Sequence, residues 1–217
     1  MCGRFSFAAS DRIIEEHFGI SPGQTEFKPS FNCAPSQKLA VISSEAQDVF
    51  SYMRWGLIPF WAKDISIGNK LINAKAETIS EKPSFRQSFA TKRCLVPADG
   101  FYEWKQDKVK TPFRIAMKDD SIFAMAGLWS RWNDAGGKVL DTFTIITTTA
   151  NQLMQPIHHR MPVILELKDY KIWLGRSSPE TLLSLLKPYP EIRMKAFPVS
   201  TLVNSPVNDC IQVTKAV

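Results

Sequence analysis

The amino-acid sequence predicts a β-rich α+β fold, with mixed and antiparallel sheets curled into a barrel-like core and short helices at the periphery. Three observations point there. Short runs of β-branched and aromatic residues bounded by Gly, Pro, Asn, Asp and Ser recur along most of the chain. Stretches with a helical period are few and short. The two patterns do not alternate as a parallel βαβ chain would require.

The elements follow in order. Ser10-Asp11 ahead of Ile13, Ile14 and Phe18, stopped by Gly19, predicts a first helix capped by Ser10, with Asp11 complementing the helix dipole. Strands are expected at 39–43 and 49–57, then a helical stretch at 84–90. Further strands are expected at 94–96, 101–105, 112–117, 122–129 and 142–148. A short helix should follow Thr149, a strand should occupy 162–165, and a helix should occupy 168–174. Ser178-Pro179 followed by Leu182, Leu183, Leu185 and Leu186 predicts a last helix ending before Pro188. No repeat or low-complexity linker interrupts the chain, so residues 1–217 read as one domain.

Composition narrows the function classes. With 44% hydrophobic and 22% charged residues the chain has the makings of a packed core, so disorder is not the default. It contains neither a signal-peptide pattern nor an apolar run long enough to span a bilayer, so a cytoplasmic, nucleoid-associated protein without a membrane partner is expected. A net charge of +6 suits a nucleic-acid partner. Cys2, Cys33, Cys94 and Cys210 are widely spaced with no C-x-x-C pair, which signals neither a zinc knuckle nor a disulfide framework.

Cys2 carries the most distinctive chemistry. Removal of Met1, expected because the next side chain is small, exposes an α-amine and a thiol on one residue. With reference pKa values near 8 and 8.5, both are nucleophilic to a useful extent at neutral pH. An aldehyde would condense with the amine to a Schiff base, and the thiolate would add to the same carbon to close a thiazolidine.

The blocks that accompany Cys2 are Met1-Cys2-Gly3-Arg4-Phe5, Phe31-Asn32-Cys33-Ala34-Pro35, Arg54-Trp55-Gly56-Leu57-Ile58-Pro59 and Ile72-Asn73-Ala74-Lys75-Ala76-Glu77-Thr78. There follow Cys94-Leu95-Val96-Pro97-Ala98-Asp99-Gly100-Phe101-Tyr102-Glu103-Trp104, His158-His159-Arg160-Met161-Pro162-Val163-Ile164-Leu165 and Val203-Asn204-Ser205-Pro206-Val207-Asn208-Asp209. In this order they resemble the SOS response-associated peptidase (SRAP) family of abasic-site processing proteins, over nearly the whole chain. The resemblance implies that Cys2 is the nucleophile, with Asn73, Glu103 and His158 around it. It also implies that the target aldehyde is the ring-opened deoxyribose left by base loss in single-stranded DNA, free or at a junction with duplex.

Each residue type suits that task. A carboxyl group at Glu103 can shuttle the proton that opens the sugar ring. His158 can protonate a departing hydroxyl or take a proton at the Schiff-base stage, and Asn73 offers a donor and an acceptor on one amide. Adjacent side chains of an extended segment point oppositely, so His158 and His159 are not expected to grip one metal. No metal or organic cofactor is called for. Arg4, Lys75 and Arg86 are expected on phosphates, and Trp55, Gly56, Pro59, Phe60 and Trp61 as a wedge or stacking platform for bases. Lys75 stands where the family pattern has arginine, which keeps the charge and loses the bidentate fork. Cys33 replaces an aliphatic residue in a packing-neutral way.

The expected product is a lasting DNA–protein crosslink from a monomeric protein that shields the lesion, with weak lyase activity through β-elimination of the Schiff base. Two rivals are a thiol peptidase, acting at the Met1 junction or elsewhere, and a noncovalent reader of modified DNA.

Overall fold

The computed structural model describes residues 2–21, 27–107, 109–134 and 136–217. The chain opens with β1 (Phe5–Phe7), α1 (Asp11–Phe18), β2 (Ser30–Cys33), β3 (Lys38–Ser43), β4 (Ala46–Trp55) and β5 (Asn73–Lys75). It continues with α2 (Arg86–Thr91), β6 (Arg93–Ala98), β7 (Gly100–Gln106), β8 (Lys110–Met117), β9 (Phe123–Asn133) and β10 (Val139–Thr149). The last third holds β11 (Arg160–Pro162), β12 (Ile164–Leu165), α3 (Tyr170–Leu174), α4 (Pro179–Ser184) and β13 (Met194–Pro198).

The larger sheet closes on itself. Strands follow one another as β10-β4-β3-β6-β9, and β9 pairs back onto β10, giving a five-stranded barrel. Closure leaves these strands without an exposed edge. Within the ring only β4 and β10 run parallel, with Phe143 opposite Trp55. The length of β10 lets it serve several partners in turn. Its first half pairs with β9 and β4, Ile145–Thr147 pair with β5, and Thr147–Thr149 pair with β11.

The second sheet is antiparallel throughout, in the order β13-β8-β7-β1-β2. Its β1 is short and is held by side chains as well as by its ladder. Asp99, at the corner between β6 and β7, accepts from Ser6 Oγ (2.5 Å), Ala8 N–H (2.6 Å) and Arg114 Nη2 (2.8 Å). The two sheets share one apolar interior. Phe5 of β1 meets Trp55 of β4 at 5.3 Å between ring centroids, and Trp55 stacks on Phe143 of β10 at 6.1 Å.

The expected β-rich α+β barrel with peripheral helices is the observed fold, and the differences are local. Ser10 occupies the cap position of α1 with extended backbone, but its side chain makes no capping hydrogen bond, whereas Gly19 ends the helix at φ 70° as expected. Ser178 does cap α4, accepting from Thr181 N–H. The segment after Thr149 is a series of turns anchored on Asn151 and Met154 carbonyls rather than a helix. Strands β1, β2, β5 and β13 had no counterpart in the sequence reading. β1, β2 and β5 are three or four residues long, and each of the four strands exists through pairing with a neighbour in its sheet. No helix among the described residues is long and apolar enough to cross a membrane.

Candidate active site

The site lies at the seam between the two sheets. Cys2 and Glu103 come from the smaller one. In the β1–β7 register Phe5 faces Phe101, and Tyr102 N–H donates to Arg4 O at 2.9 Å. Continuing that register brings the Cys2-Gly3 segment against Glu103. Cys2 is fully buried, and Glu103 is 3% exposed. Burial first, and the Glu103 carboxylate second, push the Cys2 thiol far above its ordinary pKa. The thiol is therefore protonated at neutral pH.

Asn73 comes from β5, which pairs with β10, and His158 from the segment just ahead of β11. β5 lies in register with β10, Asn73 opposite Ile145. From there the Asn73 Nδ2 donates to Cys2 O at 2.8 Å. Its Oδ1 is buried and has no hydrogen-bond partner among the described residues. A buried carbonyl oxygen left so costs about 1–3 kcal/mol, and it is an acceptor waiting beside Cys2. His158 precedes β11. Its Nδ1 lies 3.0 Å from Arg160 N and 3.2 Å from Arg160 O, and accepting the shorter bond from the N–H leaves the proton of the neutral imidazole on Nε2. Burial holds its pKa below the ordinary value, and the Glu103 carboxylate acts in the opposite direction. That carboxylate thus faces both the thiol and the imidazole.

The backbone around Gly56 explains how Asn73 reaches this seam. Gly56 is buried at φ 122°, where a side chain is strained, and a Cβ there would come within 2.5 Å of Gly68 O. The close approach folds the 57–72 segment back, with Leu57 N–H on Leu71 O at 3.1 Å. Trp55 Nε1 then donates to Ile72 O at 2.9 Å, next to Asn73.

The expected DNA contacts divide. Trp55 and Gly56 are wholly or almost wholly inside and Pro59 is buried, so none of the three offers a face to a base; their part is to shape the seam from beneath. The apolar surface in this loop belongs instead to Phe60, 58% exposed, and Trp61, 47% exposed. Lys75 and Arg86 are exposed, and Lys75 shares a strand face with Asn73. Arg4 is turned inward, with its Nη1 donating to Asn32 Oδ1 (2.8 Å) and Val203 O (2.6 Å). His158 and His159 do not point apart: their rings stack at 4.4 Å, because the chain bends there before β11 begins. Among the described residues no group of three or more His, Cys, Asp or Glu side chains is placed to hold a metal ion.

Three residues of the quoted blocks had no role in the sequence reading. Asn32 Nδ2 ties Ser205 O (3.0 Å) and Asn208 O (2.9 Å) to β2, and Arg160 forms a two-point ion pair with Glu77 (2.6 and 2.9 Å). Their presence in the blocks was visible, but nothing in the spacing revealed which side chains meet.

Fold and site together define a β-barrel protein whose second residue is a buried thiol ringed by a carboxylate, an imidazole and an amide from distant segments. Residues 1–206 match the family model described as SOS response associated peptidase (SRAP), and the chain belongs to that family. It is 51% identical to the abasic site processing protein YoqW of Bacillus subtilis, over 96% of each chain. It is 49% identical to the abasic site processing protein YoaM of the same organism, over 100% of this chain and 98% of that one. A crystal structure of a protein from Bacteroides thetaiotaomicron superposes with a TM-score of 0.89 at 35% identity, covering both chains completely.

Proposed function

We propose that this protein processes abasic sites in single-stranded DNA by bonding to them through Cys2 once Met1 has been removed. The observation that carries this reading is the Asn73 amide, which grips Cys2 O with its nitrogen and leaves a buried oxygen open beside it. That oxygen can accept an N–H of the Cys2 amine and aim its lone pair at an incoming aldehyde.

The amine acts first and the buried thiol second. The amine attacks C1′ of the ring-opened sugar, a C–N bond forms, and the carbonyl oxygen leaves as water to give the Schiff base. Sγ then adds to the same carbon, the imine electron pair returns to nitrogen, and the thiol proton passes through Glu103 to that nitrogen, completing a thiazolidine. His158, presenting Nε2–H, donates to the sugar oxygen as the ring opens. Lys75 and Arg86 engage phosphates, and Phe60 and Trp61 meet bases beside the lesion. The protein acts as a monomer, and release of Met1 is the peptidase step the family's name describes. The lasting bond shields the lesion from strand cleavage, and β-elimination from the Schiff base is a minor lyase route.

A denaturing gel tests this. Single-stranded DNA with one abasic site should yield a heat-resistant shifted band with the mature protein, its N-terminus verified by intact mass. Cys2→Ala should leave only an adduct that borohydride must trap. Wild type forming no durable band sinks the proposal, and an equally durable band from Cys2→Ala removes the thiol from it.

A further inference from the structure

We propose that Glu77 is a positioning residue, which through Arg160 fixes the ring orientation and tautomer of His158. This rests on the role given above to His158. His158 has no strand of its own; it stands in the bend ahead of β11, and its Nδ1 is oriented by the main-chain N–H of Arg160 at 3.0 Å. The placement of that peptide therefore helps set the direction of the ring.

Arg160 is the first residue of the three-residue β11, and its pairing with Thr149 lies at the end of the ladder, where strands fray. Side-chain bonds offset that weakness. Arg160 Nη1 meets Glu77 Oε1 at 2.6 Å and Nη2 meets Oε2 at 2.9 Å, while Nη2 also donates to Thr147 O at 2.5 Å. Two parallel bonds to a planar guanidinium fix direction as well as distance. The arginine is 8% exposed, and its hydrogen bonds hold the Glu77 carboxyl below its ordinary pKa, so Glu77 is ionised and is the counter-charge on which the buried cation depends.

The placement of Glu77 couples both halves of the site. It lies four residues beyond Asn73, in the middle of the turn Ala76–Thr78 that directly follows β5. One short segment therefore grips the Cys2 carbonyl at one end and, through Arg160, the imidazole at the other. Glu77 itself touches neither thiol nor sugar in this arrangement, so its effect should pass entirely through His158.

The test uses the mature full-length protein. In single-turnover crosslinking, Glu77→Gln should lower the maximal rate about tenfold to hundredfold, the range typical of lost orienting contacts, with the half-saturating DNA concentration unchanged within about twofold. Glu77→Asp should recover part of that rate. In a His158→Ala background, Glu77→Gln should cost nothing more. Nitrogen NMR of the imidazoles should show one Nε2–H tautomer for His158 in wild type and a mixture in Glu77→Gln. Should Glu77→Gln fail to fold, Arg160→Lys, which keeps the main-chain N–H and the charge but loses the fork, should give the same rate loss and mixed tautomer. Losses that add in the double variant, a loss confined to DNA affinity, or an unchanged tautomer would overturn the assignment. If wild type forms no crosslink, the functional proposal falls, and the tautomer alone then decides the role of Glu77.

Discussion

The closed barrel and the smaller sheet are held together by different means. The barrel is a ring of long strands buried on both faces, with Phe143, Ile145 and Val96 on one face of the wall and Leu128 on the other, each with no exposed surface. In the smaller sheet β1 and β2 are short, and side chains finish what their ladders begin: Asp99 clamps β1, and Asn32 clamps the 203–208 segment. The site sits on the border, taking Cys2 and Glu103 from the clamped sheet, Asn73 from the short β5 hung on β10, and His158 from the bend ahead of β11. Stability and chemistry are therefore separable here. The barrel supplies the first through buried area, and a few directed hydrogen bonds supply the second.

That separation can be broken by experiment. The largest effect is expected from Leu128→Ala in the barrel wall, where loss of a fully buried side chain should cost about 2–5 kcal/mol in urea unfolding. Crosslinking per folded molecule at low temperature should be unchanged. A rate that falls with stability would mean that the barrel does more than carry the site.

Asn73→Ala probes the opposite case. Losing one hydrogen bond to Cys2 O should lower stability by only about 1 kcal/mol while slowing crosslinking about tenfold or more, since a misplaced nucleophile is costly. Comparable effects on both would erase the distinction between regions.

The smallest effect is a titration across the seam. His158 should titrate below the usual 6.5 in a proton NMR experiment, because burial disfavours its charged form. A depressed pKa contributes stability above the unfolded value, and that contribution is lost as pH falls through the folded one. Glu103→Gln removes a carboxylate that pulls the pKa upward, so the midpoint should fall further. An unmoved midpoint would place Glu103 and His158 in separate environments.

Much of this protein was legible in its amino-acid order. The long strands show themselves through β-branched and aromatic runs, because a residue buried on a strand must be apolar whatever its partner. Gly19 and Ser178 mark helix ends through local backbone chemistry, which needs no distant contact. The blocks around Cys2, Asn73, Glu103 and His158 identify the family, since those residue types recur in a set order. Tertiary structure alone decided the rest. β1, β2 and β5 are too short to show a period and exist only through pairing, β2 on β1, β1 on β7 and β5 on β10. Trp55 looked like a platform for bases and proved to be a buried support, because an aromatic side chain has the same identity whether it faces solvent or core. Which way Arg4 turns, and that Glu77 meets Arg160, depends on pairings across 83 residues and more, from Glu77 to Arg160 and from Arg4 to Val203. Local sequence carries the propensity of each segment, but the direction of a polar side chain is set by whichever partner the closed barrel brings within reach.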